Sequence, residues 1–185
     1  IAGVVDKSPA RKYTDKEGQT VDMWHWKGVR SNPVGMMDDQ FVDHKKGSGG
    51  WGRHGDKGGG GYKNNINEAK TAPAFMSTAG MATGSVVNSE KKPFADSYKA
   101  GDKVPGIVVS PFTGSRGDIK TVGVWKNGMW TLEVQRALHT MGEGADTQDV
   151  QFTDMKKEYY FGVSVFDNSQ INHVYHEKSN KLVFR

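Results

Sequence analysis

The chain has 185 residues, of which 24 are glycine and none is cysteine, and its 25 basic and 21 acidic side chains leave a formal charge of +4. That length suits one domain, because a single core grows comfortably up to roughly 250 residues. The charge falls short of the concentrated basic stripe of a nucleic-acid binder, so no nucleic-acid partner is expected. Without cysteine there is no disulfide framework, thiolate zinc site, iron–sulfur cluster, cysteine nucleophile or CxxCH for covalent cofactor attachment. A bound metal would need His, Met, Lys, Tyr or carboxylate ligands. No apolar run approaches the roughly 18 residues of a membrane span, and no Met-led signal peptide is visible. A soluble chain without a direct membrane span is expected, begun at Ile1 as a processed or trimmed product.

In chain order, residues 21–30 are the first clear strand, with Val21, Met23, His25 and Lys27 on one parity and Trp24 and Trp26 on the other. Residues 47–61 hold nine glycines in fifteen positions. Each glycine has a large ordering entropy, so a loop is expected there. Residues 63–100 show little periodicity and read as a continuation of that excursion. Ile107–Ser110 is a short β-branched strand. Residues 121–125 and 129–136 flank Lys126-Asn127-Gly128, and an Asn-Gly pair between such runs is the strongest short hairpin signal. In its second arm Trp130, Leu132 and Val134 alternate with Thr131, Glu133 and Gln135, predicting one buried and one wet face. Residues 138–144 read as a loop or single helical turn and 149–152 as a further short strand. Residues 159–166 are apolar on both parities, as expected of a central strand covered on both faces, and 181–185 form a last strand. No internal repeat is present. The expected fold is an all-β antiparallel β-sandwich, one domain over 1–185 with a long excursion at 47–100.

Six histidines stand at 25, 44, 54, 139, 173 and 176, none in an HExxH pattern. His25, in mid-strand between two tryptophans, either finds a hydrogen-bond partner in the core or binds something. His173 and His176 sit three residues apart after the long apolar strand, as a polar loop or a ligand pair. Met36-Met37 follows the turn Asn32-Pro33-Val34-Gly35; the pair either fills core gaps or offers a soft thioether ligand. Asp38 and Asp39 read as solvated turn residues or as an acid/base pair, and a glycosidase would need two carboxylates about 5 to 9 Å apart. Gly114-Ser115-Arg116-Gly117-Asp118 lacks the lysine and helix of a phosphate loop. It is better read as a tight turn whose Arg116 pairs with Asp118 or an anionic ligand.

Several strings, in order, resemble one family. Asp22-Met23-Trp24-His25-Trp26-Lys27, Arg30-Ser31-Asn32-Pro33-Val34-Gly35 with Asp38-Asp39, and the glycine-rich segment ending Gly-Gly-Gly-Tyr-Lys-Asn-Asn are similar to the haem-binding domain family of ethylbenzene dehydrogenase gamma subunits and related periplasmic cytochromes. So are Gly114-Ser115-Arg116-Gly117-Asp118-Ile119, the hairpin Gly-Val-Trp-Lys-Asn-Gly-Met-Trp-Thr-Leu-Glu-Val-Gln-Arg, and Phe161-Gly-Val-Ser-Val-Phe-Asp-Asn. The resemblance spans residues 20–185. It implies a DOMON-like sandwich that holds a non-covalent b-type haem and passes electrons, without catalysis of its own, in the periplasm. The implied partner is a redox protein, either a molybdenum enzyme or a cytochrome.

In the resembled subunits the axial ligands are a methionine and a lysine. The lysine comes from the turn that here holds His173 and His176, so the resemblance carries that role to His173 first. The family methionine precedes the Trp-x-Trp strand, where this chain has Tyr13 and Thr14; His25 is the replacement, with Met36 or Met37 as the other candidate. Trp24, Trp26 and Phe112 would wall the haem, and Arg116 or Arg30 would meet a propionate. Family members carry several strands before the Trp-x-Trp strand, so the expectation includes an N-terminally truncated sandwich, with a homodimer as one way to cover its edges. The alternative from another class is a non-catalytic carbohydrate-binding sandwich that stacks sugars on Trp24, Trp51 or Trp130.

Overall fold

The structure is a computed structural model that describes residues 4–5, 13–47, 51–79, 84–167, 174–175 and 178–185. Its strands in chain order are β1 (Val4–Val5), β2 (Tyr13–Thr14), β3 (Val21–His25), β4 (Asp38–Val42), β5 (Arg53–Gly55), β6 (Gly61–Asn64), β7 (Phe75–Ser77) and β8 (Ser85–Val87). They continue as β9 (Lys91–Pro93), β10 (Ile107–Ser110), β11 (Lys120–Lys126) and β12 (Met129–Gln135). One helical turn, α1 (Ala145–Gln148), precedes β13 (Tyr159–Phe161), β14 (Ser164–Val165), β15 (Val174–Tyr175) and β16 (Asn180–Leu182).

The fold is all-β and of sandwich class, built from small sheets with no closed barrel among the described residues. Two three-stranded sheets carry the centre: β3-β4-β5, antiparallel throughout, and β6-β10-β8, in which β10 runs antiparallel to β6 and parallel to β8. Val86, Val109 and Ile119 are fully buried, and Met36, Met37, Val42, Met76, Phe112 and Phe152 pack around them. Each such aliphatic side chain contributes about 1.5–3 kcal/mol by leaving water.

Asn32 locks the sheet centre to the β11–β12 hairpin. Its side-chain amide donates to the Gly123 carbonyl at 3.1 Å and its Oδ1 accepts the Gly123 amide at 3.0 Å, as a strand neighbour would. A Cβ at position 123 would stand 2.6 Å from that oxygen and 2.7 Å from the Trp26 ring, so only glycine fits. The turn before β4 is one 3-10 turn, Asn32–Val34, with Pro33 inside its start and Gly35 closing it in the left-handed region.

The hairpin itself follows the sequence reading. β11 runs one residue past the expected bounds at each end and β12 stops one residue short of its expected end, and Asn127 and Gly128 both take positive φ, as a two-residue I′ turn needs. The first strand is shorter than expected, ending at His25 rather than Arg30, because the chain turns back on Lys27: the amides of Arg30, Ser31 and Asn32 all donate to its carbonyl.

Five expectations are corrected. Residues 47–61 contain β5 and the start of β6, since backbone pairing to β4 and β10 does not depend on side chains and glycine permits it. The excursion at 63–100 carries β7, β8 and β9. Residues 149–152 are not a strand; the Val150 amide and carbonyl are taken by the side chains of Asp22 and Arg136 instead. Residues 159–166 are two short strands paired to different partners, β16 and β15, and Tyr160, Phe161, Val163, Val165 and Phe166 are exposed. In β12 every residue is exposed, on both faces. Alternation states which face a strand can bury; whether another layer covers it is decided elsewhere in the chain.

Candidate functional site

Directly paired residues of antiparallel strands share a face, so the β3–β4 ribbon sorts its polar residues into two sets. His25 lies beside Asp38 and Met23 beside Gln40 on one face; Trp24 lies beside Asp39 and Asp22 beside Phe41 on the other.

On the first face His25 is half-buried. Burial is the main cause that pushes its imidazole down to about 4; the charges of Lys27 and Arg53 push the same way, Asp38 opposes them, and Arg30 adds a smaller push. Near neutral pH the ring is therefore uncharged, the state in which imidazole binds a metal. Arg116 reaches this face from the 3-10 turn Ser115–Gly117. It grips Asp38 with both arms, Nε to Oδ1 at 2.5 Å and Nη2 to Oδ2 at 2.8 Å, and lies 4.8 Å over the Phe112 ring. Arg30 stacks 3.8 Å over Tyr62, and Arg53 lies 5.2 Å from the Trp51 ring. Lys27, Arg53 and Arg30 thus all act on His25 as positive charges, with Asp38 the acidic group that opposes them.

The sequence-derived candidates separate on folding. Arg116 pairs with Asp38, not with Asp118. Met36 and Met37 are both buried in the core beneath the site. Strand alternation sends Trp24 to the face opposite His25, where its ring meets Arg136 at 5.2 Å. Trp26 packs edge-on against Trp130 at 5.0 Å. His173 and His176 lie outside the described residues. Asp38 and Asp39 are not an acid/base pair: neighbouring strand residues point apart, Asp38 to Arg116 and Asp39 into the interior.

The opposite face holds a group that sequence reasoning missed. Asp22, Asp39, Asp56, Asp118 and Asp149 converge there around Arg136. The guanidinium Nη2 stands 3.3 Å from both Asp22 Oδ2 and Asp149 Oδ2, and its side chain is 3% exposed. Burial pushes Asp22 up to about 6, Asp56 to about 7 and Asp39 to about 10. No motif signals this cluster, because the five aspartates come from five separate places in the chain.

These shifts give stability an unusual pH dependence. A carboxylate raised in the folded state binds its proton longer there than in the unfolded chain, so stability falls as pH rises from the ordinary value through the folded one. His25 has the opposite sign: its folded value lies below the ordinary 6.5, so it adds a rise in stability between about 4 and 6.5. Above pH 6.5 His25 no longer adds to the slope. The melting temperature in chelator is expected to decline steadily from pH 6.5 to about 9 as Asp56 and then Asp39 ionise; a flat or rising profile by calorimetry would contradict the cluster.

Comparison with known proteins gives a family model described as ethylbenzene dehydrogenase, matched over residues 3–178. No curated protein and no solved structure matches.

Proposed function

We propose, from the premise that this chain belongs to the ethylbenzene dehydrogenase family, that it is a non-catalytic electron-transfer domain that would hold a b-type haem non-covalently, with His25 as an iron ligand. The observation that carries the reading is the half-buried, uncharged imidazole of His25, on which Lys27, Arg53 and Arg30 act as positive charges. An uncharged imidazole is the form that ligates iron, and a haem brings two carboxylates that need cations beside them.

When bound, haem iron cycles between ferric and ferrous states and so carries one electron at a time. The chain's own residues do the rest. His25 donates its ring nitrogen lone pair, and burial keeps that nitrogen free of a proton at neutral pH. Lys27, Arg30 and Arg53 receive the propionates, and Arg116, held by Asp38, keeps that strand's charge balanced beside the ligand. His173 would be the second ligand, with His176, Met36 and Met37 as the other donors. Trp24 stands by Arg136 on the strand's other face, and Trp26, past the strand's end, packs against Trp130 rather than lining the haem. Ligation by two imidazoles would leave no position for a substrate, which suits a domain that passes electrons to a partner. The partner proposed is a redox protein, a molybdenum enzyme or a cytochrome, in the periplasm. Among the described residues no helix is long and apolar enough to cross a membrane.

Titration of the purified chain with haemin is expected to give a sharp, low-spin Soret band at one haem per chain. A chain that takes up no haem contradicts the reading. If that colourless chain is also retained on a polysaccharide column, the exposed Trp125 and Trp130 mark a sugar-binding module instead.

A further inference from the structure

We propose that the carboxylates of Asp39, Asp118 and Asp149 form a binding site for a calcium ion, buried beneath the β3–β4 ribbon on the side away from His25. One oxygen from each of the three lies within 4.8 Å of the other two. Oxygens on a calcium ion sit 2.3–2.6 Å from it, hence up to about 5 Å apart, a span the three satisfy; magnesium keeps several of its waters and is seldom held in an all-protein cage. The ligand set is all carboxylate, which suits a hard cation better than zinc or copper.

A cluster of acids alone would prove nothing, since carboxyl groups can share protons. Here the hydrogen bonding points to something further. The cluster's outer oxygens are each satisfied: Asp39 Oδ1 accepts from the Gln40 amide at 3.0 Å, Asp149 Oδ2 from the Thr140 hydroxyl at 2.5 Å, Asp56 Oδ2 from Ser115 at 3.1 Å and Asp22 Oδ2 from the Val150 amide at 2.9 Å. These bonds orient the carboxylates as second-layer partners do around a metal. Asp39 Oδ2, on a side chain with no exposure at all, and both oxygens of Asp118 receive no hydrogen bond from outside the cluster; the Asp39 and Asp118 carboxyls face each other within hydrogen-bond range, which needs either a shared proton or a cation between them. The nearest cation to Asp39 Oδ2 is Arg136 Nε, 4.0 Å away and too far for a hydrogen bond. Arg136 brings a single positive charge to five carboxylates. A divalent ion raises the fixed positive charge to three and fills the unused lone pairs together.

The site is independent of haem and is tested on the chain without it. After treatment with chelator, calcium at about a hundred times its dissociation constant is expected to raise the melting temperature by roughly 5–10 °C, with magnesium giving a much smaller shift. Terbium, as a luminescent substitute, is expected to emit on excitation of tryptophan, because Trp24 adjoins Arg136, and calcium should quench that emission by displacement. Asp39→Asn and Asp118→Asn should each lose both responses while still folding, since asparagine mimics the protonated carboxyl. An unchanged melting temperature and no terbium emission in the unaltered chain would overturn the site; so would a calcium response that survives in Asp118→Asn, the variant nearest the surface.

Discussion

His25→Ala is expected to abolish the low-spin haem spectrum, leaving either a broad high-spin Soret band or no bound haem. The imidazole is the proposed metal-binding group on that face, and alanine offers no lone pair in its place. Removing even an indirect support of a metal ligand costs about 10–100-fold in affinity. Loss of the ligand itself should cost more. Added imidazole is expected to restore the low-spin band by occupying the space left, which separates loss of ligation from loss of fold. The comparison is His54→Ala. His54 is bonded through Nε2 to Asp43 at 2.9 Å and stacks on Phe41 with ring centroids 4.9 Å apart, so it serves the sheet and not the site. Its variant should keep the spectrum. A low-spin spectrum that persists in His25→Ala would remove His25 from the iron.

The second large effect is expected at Arg136. Its guanidinium is almost wholly buried, donates from Nη1 to the Val150 carbonyl at 2.9 Å, and stands between Asp22 and Asp149. Arg136→Met keeps the apolar stem but leaves those carboxylates in the interior without a cation. Breaking a buried pair on one side costs about 3–5 kcal/mol, because the remaining charge stays unpaired. Urea unfolding at pH 7 should show that loss. Arg136 lowers the proton affinity of Asp22 and Asp118 in the folded state. Its removal therefore lets them hold protons to higher pH, and the deficit should shrink as pH falls and the carboxyls become neutral. By contrast Lys57→Ala, which breaks the exposed pair with Glu143, should change stability by less than about 1 kcal/mol. Equal losses in the two variants would show that the cluster is hydrated rather than buried.

How much of this was legible in the sequence varies with the range of the interaction. The Asn127-Gly128 hairpin is legible because its turn chemistry and its pairing are local: the residues that require positive φ are the residues that make the turn. Ile107–Ser110 is legible for a similar reason, as a β-branched run bounded by Gly106 and Pro111. β5 and β6 are not, because a glycine-rich segment has no side-chain pattern to read, and its pairing is set by the free edges of β4 and β10. The exposed faces of β12 and of residues 159–166 show the same limit from the other direction.

The candidate site divides likewise. His25 was marked by its residue type in a strand, and the β3–β4 pairing then shows which residues stand beside it. Trp24, its immediate neighbour and an expected wall of the haem, faces the other way, since successive strand residues point to opposite sides. Asp38 and Asp39, adjacent in sequence, end with different partners by the same rule.

What the sequence by itself determined is the all-β class, the hairpin, the family and the residue types available to a metal, because each rests on neighbours in the chain or on a motif in order. What only the tertiary structure decided is which charges meet. The positive charges that act on His25 and the five aspartates about Arg136 are assembled from segments as far apart as Asp22 and Asp149. Their proton affinities arise from burial and from charges across space, and neither quantity exists until the chain has folded.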